Sequence, residues 1–307
     1  MSGKGRSILL AALLAAGHAA AADKPFEDLA YGAYQTGHYR RAQSEALKRI
    51  ETDSSDAAAM TLLGEIYRQG LGIAPDQKAA TEWYERADAR GDINATFALA
   101  TELLDEASGK RDPARAGQLL EKAAAAGHPS ANYNLALALL ATGSGTDEQR
   151  AVACLELAAK AQVSDAMYAL GILAQQGRGL PKSEETAARW MKQAAEGGNV
   201  SAQVEYAIML FNGTGVSKDE TAAAGLFQRA AAQGNAIAQN RLAKLYQFGL
   251  GIAPDTIEAA AWHLAARSQG RQDAGLDALF DKLNPEQKTR AAGMAASRIS
   301  SFALTAP

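Results

Sequence analysis

The chain has 307 residues, of which only 6% are aromatic, and a formal net charge of −3. That length is enough for a sizeable core, and a composition rich in alanine and poor in aromatics favours helices over sheets. No long run of one charge sign occurs, which excludes the clustered Lys and Arg that a nucleic-acid or anionic-membrane surface requires.

The first predicted element is a targeting segment. Lys4 and Arg6 precede the apolar run ILLAALLAA at 8–16, and Ala20-Ala21-Ala22 stands before Asp23. A basic start, a short apolar stretch and small residues at the end read as a secretory signal peptide over 1–22. The expected location is therefore periplasmic or secreted. No cysteine near the cleavage point provides a lipid-attachment site. Later runs fall short of the roughly 18 apolar residues of a membrane helix, so no membrane insertion is expected after cleavage. The lone Cys154 makes an internal disulfide impossible.

A repeat occupies 56–271. The heptapeptide GLGIAPD occurs at 70–76 and again at 249–255. Small residues recur in register at Gly64, Ala100, Ala136, Gly171, Ala207 and Ala243, with spacings of 36, 36, 35, 36 and 36. A fixed period of this length signals a solenoid. Each unit reads as two helices. The first carries apolar residues at helical spacing, as in Ala59, Leu63, Ile66 and Tyr67, and ends at glycine. Gly-x-Gly recurs at Gly70/Gly72, Gly177/Gly179, Gly213/Gly215 and Gly249/Gly251. Asp76, Ser183, Asp219 and Asp255 then stand as N-caps of the second helix.

The pattern N-x-A-x-x-x-L-G-x-x-Y-x-x-G-x-G-[IV]-x-x-D-x-x-x-A-x-x-W-[YH]-x-x-A-x-x-x-G resembles the Sel-one-like repeat (SLR) family, relatives of tetratricopeptide (TPR) repeats. GEIYRQGLGIAPDQKAATEWYERADARGD and LAKLYQFGLGIAPDTIEAAAWHLAARSQG carry it most fully. The resemblance implies an all-α fold, an α/α superhelical solenoid of six repeats between helical caps. Ser-Gly-Lys at 108–110 departs from the Gly-x-Gly turn. So does the later Gly143/Gly145, and Gln162 stands where glycine is usual. Residues 23–55 resemble a TPR-like capping helix pair, with Gly37, Tyr39 and Ala42 at matching offsets. Residues 272–307 are expected to form C-terminal capping helices. There Asn284-Pro285-Glu286-Gln287 supplies an N-cap, a first-turn proline and a capping-box partner.

Little in the sequence points to catalysis. Outside the leader the histidines are His38, His128 and His263, all in different units. No HExxH motif or cysteine pair appears, so no metal and no cofactor are expected. The Ser of Gly-Ser-Gly at 143–145 lacks the strand-to-helix context of a nucleophile elbow. Some cysteine-rich members of the resembled family tie each helix pair with a disulfide or were proposed to bind penicillin-like compounds. This chain lacks those cysteines.

Binding is the stronger expectation. In TPR-like stacks the first helix of each pair lines the concave face, so the resemblance directs attention to the positions where those helices differ. The middle units carry apolar residues there: Phe97, Tyr133, Leu137, Tyr168, Ile172, Val204, Ile208 and Phe211. Rimmed by polar residues, such a strip would take an extended or helical segment of a protein partner. The same side chains would serve equally as packing between neighbouring first helices, and the sequence leaves both roles open. Exported members of the resembled family include periplasmic inhibitors of sensor kinases and scaffolds of polysaccharide export. The expected function is accordingly a periplasmic regulator or adaptor that binds a protein, a membrane sensor or export component. An envelope or exopolysaccharide assembly scaffold is the alternative, and a cell-wall or lactam hydrolase ranks third.

Overall fold

The computed structural model describes residues 28–105 and 111–305, and these contain sixteen helices and no strand. The expected leader over 1–22 and the Ser-Gly-Lys turn at 108–110 lie outside the described residues. The chain divides into two compact units at Thr142/Gly143. The first unit holds α1 (Leu29–Gln35), α2 (Tyr39–Thr52), α3 (Ala57–Gln69), α4 (Gln77–Asp88), α5 (Ile93–Leu104), α6 (Pro113–Ala125) and α7 (Pro129–Thr142). The second holds α8 (Gly145–Lys160), α9 (Ser164–Gln176), α10 (Glu184–Glu196), α11 (Val200–Asn212), α12 (Glu220–Ala232), α13 (Ala236–Phe248), α14 (Thr256–Ser268), α15 (Ala274–Asp281) and α16 (Pro285–Thr305). Within each unit each helix packs on the next in sequence as far as α15, and α16 folds back on α14.

Alanine abundance has a packing cause beyond helix propensity. Ala59, Ala95, Ala131, Ala166, Ala202 and Ala238, each the third residue of a first helix, all have 0% exposure. So do Ala80, Ala116, Ala151, Ala187, Ala223 and Ala259 on the second helices. A methyl group at each of these positions lets adjacent helices approach closely, and a larger side chain would overpack the contact. Larger apolar residues fill the remaining core, including Leu63, Leu99, Leu120, Leu155, Leu170 and Leu242, all within 1% of full burial. Each such side chain contributes about 1.5–3 kcal/mol.

The helix ends follow local chemistry. Asp76, Ser183 and Asp219 each accept a hydrogen bond from the third backbone N–H of the helix they open, at 2.9–3.1 Å. At the other end Gly70, Gly177, Gly213 and Gly249 adopt left-handed backbone and close the first helix. Buried side chains meet some of the remaining carbonyls. Asn132, Gln203 and Gln239 donate to Ala124, Ala195 and Ala231, the last-turn carbonyls of the preceding helix.

The second glycine of each Gly-x-Gly has a different task. Gly179, Gly215 and Gly251 rest against the backbone carbonyls of Glu148, Glu184 and Glu220, which lie on the second helix of the preceding repeat. Gly72 lies more loosely against side-chain atoms of Tyr39 and Arg40 at the start of α2, and Arg40 donates to the Gly72 carbonyl at 3.0 Å. GLGIAPD is therefore the joint between the two helices of one repeat and also a contact between successive repeats.

The third repeat breaks two of these rules at adjacent residues. Gln162 has φ 63°, the one positive φ away from glycine among the described residues. Val163 occupies the N-cap of α9 and makes no side-chain cap bond. The double substitution Gln162→Gly with Val163→Asn is expected to stabilise the protein by about 1–2 kcal/mol, through relief of the left-handed penalty and a gained cap. Urea midpoints against the parent chain check this.

The C-terminal helices cover the last repeat. Ala260, Ala261 and Ala291 form a buried cluster with Ile257, Leu264, Leu279, Phe280, Leu283 and Met294. His263 is fully buried, with its Nε2 2.9 Å from Asp277 Oδ1, an oxygen that also accepts from Arg267 at 3.3 Å. That contact pins α15 to α14. Arg298 stacks over the Trp262 ring at 3.9 Å and donates to Glu258 at 2.7 Å, pinning α16 to the same helix.

Candidate protein-binding site

The predicted strip separates by register. At Thr61, Phe97 and Asn240 the residue three before the Gly64-type position reaches the residue that caps the next helix pair. Thr61 donates to Asp92 at 3.0 Å, Asn240 donates to Asp273 at 3.2 Å, and the Phe97 ring stacks on His128 at 4.6 Å. Phe97 is 2% exposed and Val204, in the same register, 4%. Both are packing residues and present almost no surface, whereas Tyr133 and Tyr168 share their register without being enclosed to that degree. Tyr133, Tyr168, Ile172, Ile208 and Phe211 are half-buried, and Leu137 is 44% exposed. Tyr133 and Leu137 belong to the first unit, the other four to the second.

His128 shows what that packing does electrostatically. Its Nδ1 accepts from the Ala131 N–H at 3.1 Å, so the imidazole caps α7 and needs Nδ1 unprotonated. Burial pushes its pKa down from 6.5 to about 4. Between those values the unfolded chain binds more protons than the folded one. The stability is therefore fully present above the unfolded value and is lost as pH falls toward the folded one. The expected loss is about 2 kcal/mol. His128→Asn keeps a capping oxygen and should remove this acid-dependent part, as urea titrations at pH 7 and 4.5 would show.

In the first unit the residue after Gly64 is also structural. Glu65, 3% exposed, accepts from Tyr84 Oη at 2.9 Å and from Arg68 Nη2 at 2.8 Å. Burial and the Glu65 charge push the Tyr84 hydroxyl well above its ordinary value. Gly64 makes room for this ring, since a Cβ there would lie 2.5 Å from a Tyr84 ring carbon.

The second unit holds an open cavity of about 290 Å³ between α11 and α13. Ile208, Phe211 and Asn212 line it from α11, Arg241, Lys244, Leu245 and Phe248 from α13, with Phe227 and Leu250 completing the wall. The four α13 residues follow helical i, i+3, i+4, i+7 spacing and so share one face. Phe248 is 64% exposed, an unusual cost for a ring on a helical repeat. Lys218 approaches the Phe211 ring at 5.6 Å, and Lys244 pairs with Asp273 at 2.6 Å. Of this lining the sequence reading had only Ile208 and Phe211 as site residues. Phe248 was nonetheless legible, for the same register before the closing glycine holds Gln69, Gln176 and Asn212.

Among the described residues no group of three or more His, Cys, Asp and Glu is placed to hold a metal. Cys154 is half-buried on α8, and burial pushes its thiol above the ordinary range. Among the described residues no helix is long and apolar enough to cross a membrane.

The Sel1 repeat family matches six consecutive segments, 57–92, 93–128, 129–163, 164–199, 200–235 and 236–270. This chain is a Sel1 repeat protein. The Sel1 repeat protein of Oxalobacter formigenes, a solved structure, is 28% identical with a TM-score of 0.69, covering 84% of this chain and 76% of that one. The structure of c5321, a protective antigen of uropathogenic Escherichia coli with an SLR fold, is 24% identical with a TM-score of 0.53. That match covers 87% of this chain and 66% of that chain, and it bears on the fold alone. No curated protein sequence matches the chain. Sel1 repeats and their TPR-like architecture support a protein–protein interaction scaffold. The paired helices of the described residues are those of a Sel1/TPR-like solenoid.

Proposed function

We propose that this Sel1 repeat protein is exported to the periplasm and works without catalysis, as a regulator or adaptor that binds the periplasmic part of an envelope protein. The observation that carries a binding role is the α11–α13 cavity, where Phe248 stands 64% exposed beside Phe211 and Ile208. An apolar hollow with a polar and cationic rim is the form a site for another chain takes. Export rests on the leader pattern at 1–22, and the single cysteine is compatible with an oxidising compartment.

A photo-crosslinking amino acid at position 248 tests this in cells of the source organism. One envelope protein with a periplasmic domain is the expected adduct. A sensor would favour regulation and export-machine subunits an assembly scaffold, whereas cytoplasmic adducts alone would overturn the reading. Fusion to a reporter active only outside the cytoplasm checks export separately, and silence there would end the periplasmic assignment. Tyr168→Ala should weaken partner capture while leaving the thermal midpoint nearly unchanged, since its ring is only half-buried.

A further inference from the structure

We propose that the α11–α13 cavity takes an apolar side chain, Leu or Phe, from an extended peptide segment that carries acidic residues on one side of it. This deepens the adaptor reading and rests on it. Two residues that break the repeat register meet in this cavity. Arg241 stands where the other repeats have Leu62, Ala98, Asn134, Ala169 and Glu205. Phe248 stands where three others have Gln69, Gln176 and Asn212. They lie seven residues apart on one face of α13 and line one space. Architecture does not require either of them, because the other repeats fold with different residues there.

The chemistry of the lining selects the occupant. No carboxylate borders the cavity, while Arg241 and Lys244 do. Lys244 is held by Asp273, whereas Arg241 is exposed and makes no ion pair among the described residues. An unmatched guanidinium beside exposed aromatic surface complements a carboxylate next to an apolar anchor. The volume of about 290 Å³ lies at the small end for a ligand pocket, which suits one or two side chains. Toward α9 the sign reverses. Burial and the charge of Glu205 raise the Tyr168 hydroxyl above its ordinary value, and Glu205 holds the register of Arg241 one repeat earlier. Acidic residues therefore belong at the Arg241 end alone.

Fluorescence anisotropy with the full chain tests this, using labelled peptides in which Leu-Phe is followed by two aspartates, two serines or two lysines, together with the reversed orders. One order of the aspartate peptide is expected to bind at least about fivefold tighter than its serine and lysine counterparts at low salt, with the advantage shrinking as salt rises. Arg241→Glu should invert that ranking. Phe248→Ala should weaken the preferred peptide about tenfold with no change in thermal midpoint. Equal binding of all peptides, no binding of any, or an unchanged ranking in Arg241→Glu would overturn the proposal. Binding that survives Phe248→Ala would also overturn it, yet would leave the adaptor reading standing. Concentration-dependent dimerisation abolished by Phe248→Ala would make a second copy the occupant and would overturn it too. An envelope adduct at position 248 without any acidic preference would sink this inference alone.

Discussion

Gly215→Ala is expected to destabilise the second unit by about 3–4 kcal/mol. Two penalties add there. The backbone sits at φ 65°, where an L side chain costs roughly 1–2 kcal/mol. The new Cβ would also overlap the Glu184 carbonyl at the start of α10, which belongs to a helix and cannot rotate away. Displacing such a contact costs about 1–3 kcal/mol. Two controls separate these causes. Gly198 has φ 88° with nothing within 4 Å of a Cβ, so Gly198→Ala should show the conformational part alone. Gly213 has φ 74°, and a Cβ there would meet Lys218 no closer than 3.3 Å, so Gly213→Ala should fall between. Urea denaturation of the three variants should give the order 198, 213, 215, and equal losses would remove the inter-repeat role assigned to the second glycine. Because each repeat contacts its neighbours, a broken joint should also lower the cooperativity of unfolding.

Glu65→Ala in the first unit should cost about 3 kcal/mol. The carboxylate is buried, accepts from Tyr84 at 2.9 Å and from Arg68 at 2.8 Å, and its loss leaves both donors without their partner. Arg68 remains partly exposed and can turn to water, which keeps the cost below that of a fully enclosed pair. Tyr84→Phe removes one neutral donor and should cost about 1 kcal/mol, since Arg68 still satisfies Glu65. Combined, the two substitutions should lose less than their sum, because the hydroxyl no longer needs an acceptor. Strict additivity in a double-mutant cycle would show that the Tyr84 hydroxyl and Glu65 are energetically independent.

Much of the fold was legible because its causes are local. Gly70 and Gly249 end helices through backbone freedom, and Asp76 and Asp255 start them through a side-chain oxygen, so the same letters recur wherever the same joint is built. Gln162 was visible as a departure, but only the backbone showed that it accepts the left-handed conformation rather than changing the turn.

The candidate site was less legible. Phe97 and Ile208 read alike in a list of apolar residues on first helices. One faces the next repeat's N-cap at His128 and the other borders a cavity, a difference that depends on where the neighbouring helix lies. By itself the sequence determined the repeat, its period, the caps of its regular units and its family, because short-range capping and the 36-residue register are written in consecutive residues. Only the tertiary structure decided which apolar residues are consumed by stacking and which remain for a partner. Burial is a property of neighbours brought together from other repeats, and it separated Phe97 and Val204 from Phe211 and drew Arg241 and Phe248 into the same site.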